Sequence, residues 1–175
     1  MNYSPVTLTE MLDAREMRSH HRQKLICLHK SALIQLSINS PGSEKNSSVI
    51  TEIFSEGLRS ILKKFDESII EYNSETQSNT GPQAFIAIAL PARKIKMKTS
   101  SIELSHPLGR LWDIDVYDVD KRLLSRKELG LPERLCYICR EPAHVCSRSQ
   151  RHTQEDLKAF ILDIYQSYSD RIRIS

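Results

Sequence analysis

The sequence predicts an α+β fold: a split-βαβ-like mixed sheet with helices on one face and extra N- and C-terminal helices. Three observations carry this. The mostly apolar runs ALIQLSI, from residue 32, and AFIAIAL, over 84 to 90, suit buried strands. Between them, residues 49 to 65 repeat apolar side chains at helical spacing. From residue 31 onward the elements then read β-α-β-β-α-β, the order of a split βαβ unit. At 175 residues the chain suits one domain, 1–175, large enough to bury a core.

Each element has a local reason. Thr7 followed by Glu10 is a capping-box pattern, and it opens a helix expected to run to about His29, with Leu8, Met11 and Leu12 on its first apolar face. After the first strand, NSPGSEKNS (39 to 47) carries Pro-Gly punctuation and leads into the second helix. There Val49, Ile50, Ile53, Phe54, Leu58, Ile61, Leu62 and Phe65 follow helical spacing, with Gly57 at one contact position. Residues 68 to 75 read as a strand, SNTGP turns the chain into AFIAIAL, and 92 to 104 read as helix. Residues 111 to 116 supply the fourth strand, with 122 to 125 as a short hairpin partner. A Cys-rich loop follows. A last helix starts at Thr153 and aligns Leu157, Phe160, Ile161, Ile164, Tyr165 and Tyr168.

Composition excludes some classes of function. No apolar stretch approaches 18 residues, so no membrane span is expected. MNYSPVTLTEML lacks the layout of a signal peptide, and a cytoplasmic location follows as the default. A net charge of +3 does not by itself imply nucleic acid, and no nucleic-acid partner is expected. Its distribution is more telling. Residues 91 to 98 carry Arg93, Lys94, Lys96 and Lys98 without an acid, and 121 to 152 hold eight Lys or Arg against three Glu. Such stretches are either a solvated basic face or a surface for a phosphate-rich ligand or an acidic partner.

The stretch HPLGRLWDIDVYD, 106 to 118, poses the chemical question. Strand residues two apart share a face, so Asp113 and Asp115 point together while Trp112, Ile114 and Val116 point to the core. Paired carboxylates repel unless a cation lies between them. Mg²⁺ suits such a pair because it takes oxygen ligands and keeps positions for phosphate oxygens. The plainer alternative is an edge strand with one Asp in solvent and the other ending the ladder. Asp118 and Asp120 fall in a turn, where Asp is a routine former. Upstream, Arg110 can grip a polyphosphate and His106 can take a proton from an attacking hydroxyl; a capping role before Pro107 is the alternative for His106.

Cys136-x2-Cys139-x6-Cys146-x5-His152 can supply a Cys₃His zinc site, with His144 as a second nitrogen candidate. With a single C-x-x-C, free thiols are the favoured reading and structural zinc the lesser one, with a redox role behind both. Cys27, on the first helix, is expected in the core.

PGSEKNS, HPLGRLWDIDV, LSRKELGLP and CYICREPAHVCSRS occur in this order, and together they resemble the apo-citrate lyase phosphoribosyl-dephospho-CoA transferase family. The resemblance runs from LDAREMR near the N-terminus to the last helix. It implies a nucleotidyltransferase-like site that uses Mg²⁺. The substrate implied is 2′-(5″-triphosphoribosyl)-3′-dephospho-CoA, transferred to a serine of the citrate lyase acyl-carrier subunit with release of diphosphate. It further implies Asp113 and Asp115 as Mg²⁺ ligands, with Lys45, Arg110, Arg15 and the backbone at Gly42 as phosphate contacts. One departure stands out: Ser43-Glu44 precede Lys45 where members tend to carry apolar residues. Two alternatives remain at this stage, a nucleotidyltransferase acting on another carrier protein and a non-catalytic basic zinc-binding adaptor.

Overall fold

A computed structural model describes residues 4–174 of the chain, in two compact units that meet between Leu124 and Ser125. In chain order the elements are α1 (Leu8–His29), β1 (Ala32–Ile38), α2 (Ser48–Phe65), β2 (Ile69–Glu75), β3 (Gln83–Ile88), α3 (Ala92–Ser105), β4 (Trp112–Tyr117), α4 (Ala143–Ser149) and α5 (Gln154–Ile174).

The first unit is built on a four-stranded sheet of order β2-β3-β1-β4. Every neighbouring pair is antiparallel, so the expected mixed sheet is corrected to an antiparallel one. The reason is topological. β1 and β2 are joined by a helix and run the same way, but β3 inserts between them and opposes both. The split-βαβ order itself is what the sequence reading expected.

Pairing registers fix two faces. Ile34, Leu36, Ile86, Ile88, Ile114 and Val116 fall on one, and α2 and α3 cover it with Ile53, Phe54, Ile61 and Ile95, all fully buried. Trp112 belongs to that face too: its Nε1 donates to the Ile53 carbonyl at 2.9 Å. The second face carries Leu33, Gln35, Ser37, Phe85, Asp113, Asp115 and Tyr117, and α1 packs across it. Only part of this face is apolar, a cluster of Leu25 and Ile26 from α1 with Leu33, Phe85, Ala87 and Tyr117.

That division corrects the reading of α1. The capping box at Thr7 and Glu10 forms, but Leu8 and Leu12 are exposed, and the buried residues are Ala14, Leu25 and Ile26. Cys27 is exposed rather than in the core, because the turn of helix it shares buries Leu25 and Ile26 instead. The basic run of α3 is also divided: Lys96 is buried, its Nζ donating to the Ile114 carbonyl at 2.9 Å, while Arg93 and Lys94 are exposed.

After β4, Asp118 closes the expected turn. Its Oδ1 accepts from the backbone N–H groups of Asp120 and Arg122, and Tyr117 bridges to Leu123. The second unit holds α4, which the sequence reading left as loop, and α5. Thr153 caps α5, its hydroxyl accepting from the Asp156 N–H. No helix among the described residues is long and apolar enough to cross a membrane.

Candidate active site

The polar end of the second sheet face forms the floor of a cavity of about 400 Å³. Along α1, Met11, Arg15, Arg18 and Arg22 line it, the i, i+4, i+7, i+11 series that one helix face presents. β1 contributes Gln35 and Ser37, β4 contributes Asp113, and the loops contribute Lys45 and the turn Thr80-Gly81-Pro82. Four of these side chains are cationic and one is anionic.

Charge is concentrated here with little internal compensation. Arg15 has neither hydrogen bond nor ion pair among the described residues. Burial first, and then the charge of Arg15, hold the Lys45 ammonium below its ordinary pKa. The same two causes, in the same order, lower Arg18. Arg15 therefore sits close enough to Lys45 and to Arg18 to disfavour their charge, and an anion among these cations would relieve that repulsion. Arg22 is more committed: Nη1 donates to Gln35 Oε1 at 2.9 Å, and the guanidinium lies 4.1 Å over the Tyr117 ring.

The loops are held to this shape. Lys45 Nζ donates to the Ser40 carbonyl at 2.7 Å. Buried Asn46 donates to the carbonyls of Thr76 at 2.8 Å and Ser78 at 2.9 Å, tying the 39–47 loop to the β2–β3 turn. Gly81 completes the contact. It has φ +98°, and a Cβ there would stand 3.1 Å from the Lys45 carbonyl oxygen.

Asp113 and Asp115 share the face, opposite Ser37 and Gln35 in register. Both are half-buried. Tyr117 continues their alternation on the same face. Burial first, then the charge of Asp115, raise the Tyr117 pKa, so the phenol stays protonated.

Of the residues singled out from sequence, Arg15, Lys45 and Asp113 meet around one cavity, with Asp115 two positions along the same strand face. Gly42, at φ 79°, and Arg110, on the short turn before β4, are not part of its lining. His106 is not brought to the aspartates. Its ring packs 4.5 Å from that of Trp112, with Nε2 3.6 Å from Glu56 on α2, which is the opposite side of the sheet. Strand alternation dictates this, since Trp112 and Asp113 must face opposite ways. Arg18, Arg22 and Tyr117 were missed. Their signals were present as the spacing Arg15-x2-Arg18-x3-Arg22 and as the third member of the 113, 115, 117 series.

In the second unit the Cys₃His set assembles. Ligand atoms of Cys136, Cys139, Cys146 and His152 all lie within 4.8 Å of one another. Cys139 Sγ is 3.3 Å from Cys146 Sγ and 3.3 Å from His152 Nε2. The Glu141 N–H donates to Cys139 and is the first cause, before His152, of a Cys139 pKa lowered to about 6.

Comparison with known proteins decides the family. The profile of the family described as apo-citrate lyase phosphoribosyl-dephospho-CoA transferase matches residues 6–168. The chain belongs to that family. Relatives bearing this name include one from Citrobacter koseri, 36% identical over 155 residues, covering 87% of this chain and 84% of the relative. Those of Escherichia coli O139:H28 and Shigella boydii serotype 18 are each 36% identical over 159 residues, covering 89% of this chain and 86% of theirs. The chain is thus a transferase of the apo-citrate lyase phosphoribosyl-dephospho-CoA transferase family. The matched range takes in all four strands, the cationic stripe of α1 and the four Cys/His positions.

Proposed function

We propose that the chain transfers 2′-(5″-triphosphoribosyl)-3′-dephospho-CoA to a serine of the citrate lyase acyl-carrier subunit and releases diphosphate. The observation that carries this reading is the convergence of Arg15, Arg18 and Lys45 with Asp113 on one cavity. Family membership supports the substrate class, and the cavity supports where its phosphates go.

On this reading the serine oxygen bonds to the α-phosphorus, the bond from that phosphorus to the α,β-bridging oxygen breaks so that the oxygen leaves with diphosphate, and the hydroxyl proton passes to solvent. Arg15, Arg18 and Lys45 hold the triphosphate and then the leaving diphosphate, through charge-assisted hydrogen bonds. Asp113 and Asp115 fit a Mg²⁺ ion: two half-buried carboxylates on one face, beside cations that suit the phosphates such an ion would share. Mg²⁺ bound there supplies neutralisation of the charge that gathers on the phosphoryl oxygens. Arg22, stacked on Tyr117 and bonded to Gln35, steadies the wall. A carrier protein with an acidic surface would be drawn to the positive cavity mouth. The chain would work in the cytoplasm, and any zinc on the Cys₃His cluster would be structural, since no step uses a thiolate.

Incubation with the triphosphoribosyl donor, Mg²⁺ and the apo carrier subunit tests this. Intact mass should show the carrier gaining the prosthetic group, with diphosphate formed in equal amount. A carrier of unchanged mass would sink the reading.

A further inference from the structure

We infer that Cys136, Cys139, Cys146 and His152 bind one Zn²⁺ ion in a closed, four-coordinate structural site that holds the second unit together. This stands apart from the transfer chemistry. Four ligand atoms of the zinc-favoured kind, three sulfurs and one imidazole nitrogen, converge within 4.8 Å. Tetrahedral bonds of about 2.3 Å to sulfur and about 2.0 Å to nitrogen place ligand atoms roughly 3.5–4 Å apart. The two 3.3 Å separations at Cys139 are close to that spacing. A disulfide would use two of these thiols and leave the third sulfur and the imidazole without a purpose.

The backbone around the cluster is built as a metal-binding knuckle. Cys136 N–H donates to the Glu141 carbonyl at 2.6 Å, Ala143 N–H to Arg134 at 2.8 Å, and Leu135 bridges to Pro142. Within that hairpin Arg140 takes φ 62°, which turns the chain just after Cys139. The Glu141 N–H then points at the Cys139 sulfur. Backbone N–H donors of this kind hold and orient ligating thiolates. Cys146 is carried in on α4, and the Arg151 N–H bonded to its carbonyl at 3.3 Å swings His152 back towards the thiols.

The unit also needs such a clamp. It comprises about fifty residues, of which, among those described, only Cys136, Cys146 and Ile161 are buried. Beyond these there is the stacked pair Tyr137 and Phe160, with ring centroids 5.2 Å apart. A unit of this size with so small an apolar core commonly depends on a metal or disulfides. A Zn²⁺ ion would join the knuckle, α4 and the start of α5 at one point. Binding would release to solvent the protons still held by the thiols. Three thiolates and an imidazole leave no open position for substrate.

The test uses the full chain, purified without chelator and desalted. Elemental analysis should find close to one zinc per chain, and titration with a mercurial thiol reagent should release it. Cys27→Ser should keep the zinc and Cys139→Ser should lose it. Because losing a ligand can unfold the unit, the wild-type chain is also stripped, reduced and given Co²⁺. Intense near-ultraviolet sulfur-to-cobalt charge transfer with tetrahedral visible bands supports the site, even if zinc content after purification is low. Wild-type chain that purifies without zinc and gives no such bands with Co²⁺ overturns the inference. Zinc retained in full by folded Cys139→Ser overturns it equally.

Discussion

Single side chains decide the chemistry, and Arg15 is the most informative of them. It stands on the cavity wall without a hydrogen bond or ion pair among the described residues, and its charge adds to burial in lowering both Lys45 and Arg18. Arg15→Ala should therefore weaken donor binding by roughly 10- to 100-fold, the worth of about 1.5–3 kcal/mol from charge-assisted contacts. Its melting temperature should not fall, because a repulsion is removed; titration calorimetry and thermal melts check both. His106 gives a pH signature instead. Burial, opposed by Glu56, lowers its pKa from the usual 6.5, so the folded chain prefers the neutral ring. Its stabilising contribution is present above about pH 6.5 and lost as pH falls through the folded value. His106→Gln should flatten part of that acid-side slope in melts at a series of pH values. That Asp113 and Asp115 share a face was readable from strand alternation, whereas Arg15 and Lys45, which line the same cavity as Asp113, were singled out by family motif. Arg18 and Tyr117 were passed over: helical spacing with Arg15 and the 113, 115, 117 alternation mark them only by position, and neither an arginine on a helix nor a tyrosine ending a strand is chemically distinctive by type.

Elements fix which side each residue serves. β4 divides Trp112, Ile114 and Val116 from Asp113, Asp115 and Tyr117, and this alternation was legible. α1 was legible as a helix but not in its inward face, because the apolar residues at its start suggested packing where the fold places cations. α4 was hidden: seven residues after a proline, with two of its positions taken by Cys146 and His144, show no helical period. Packing of α2 on β4 leaves a sharp test. A Cβ on Gly57 would stand 2.8 Å from Trp112 Nε1, the atom that donates to the Ile53 carbonyl. Alanine would gain about 0.5–1 kcal/mol of helix preference but cost about 1–3 kcal/mol in overpacking. Gly57→Ala should be net destabilising in denaturant titration, and an unchanged midpoint would mean that Trp112 can yield.

At the scale of the whole molecule, the antiparallel sheet separates a dry face under α2 and α3 from a wet face under α1, and the proposed transfer site lies on the wet one. Family membership covers the chain from residue 6 to residue 168. The order of strands was legible from the β-α-β-β-α-β pattern. Which pairs would run antiparallel depends on contacts between segments far apart in sequence, and it emerged only from the fold. The central claim is that transfer occurs on the face of Asp113 and not on that of His106. The direct measurement is the single-turnover rate of prosthetic-group transfer, followed by intact carrier mass at saturating donor, for wild type, Asp113→Asn and His106→Gln. Asp113→Asn should fall by about 100-fold or more while remaining folded, as removal of a group stabilising transition-state charge does, and His106→Gln should stay within a few-fold of wild type. A near-normal rate for Asp113→Asn, or loss of transfer in a folded His106→Gln, would contradict the assignment.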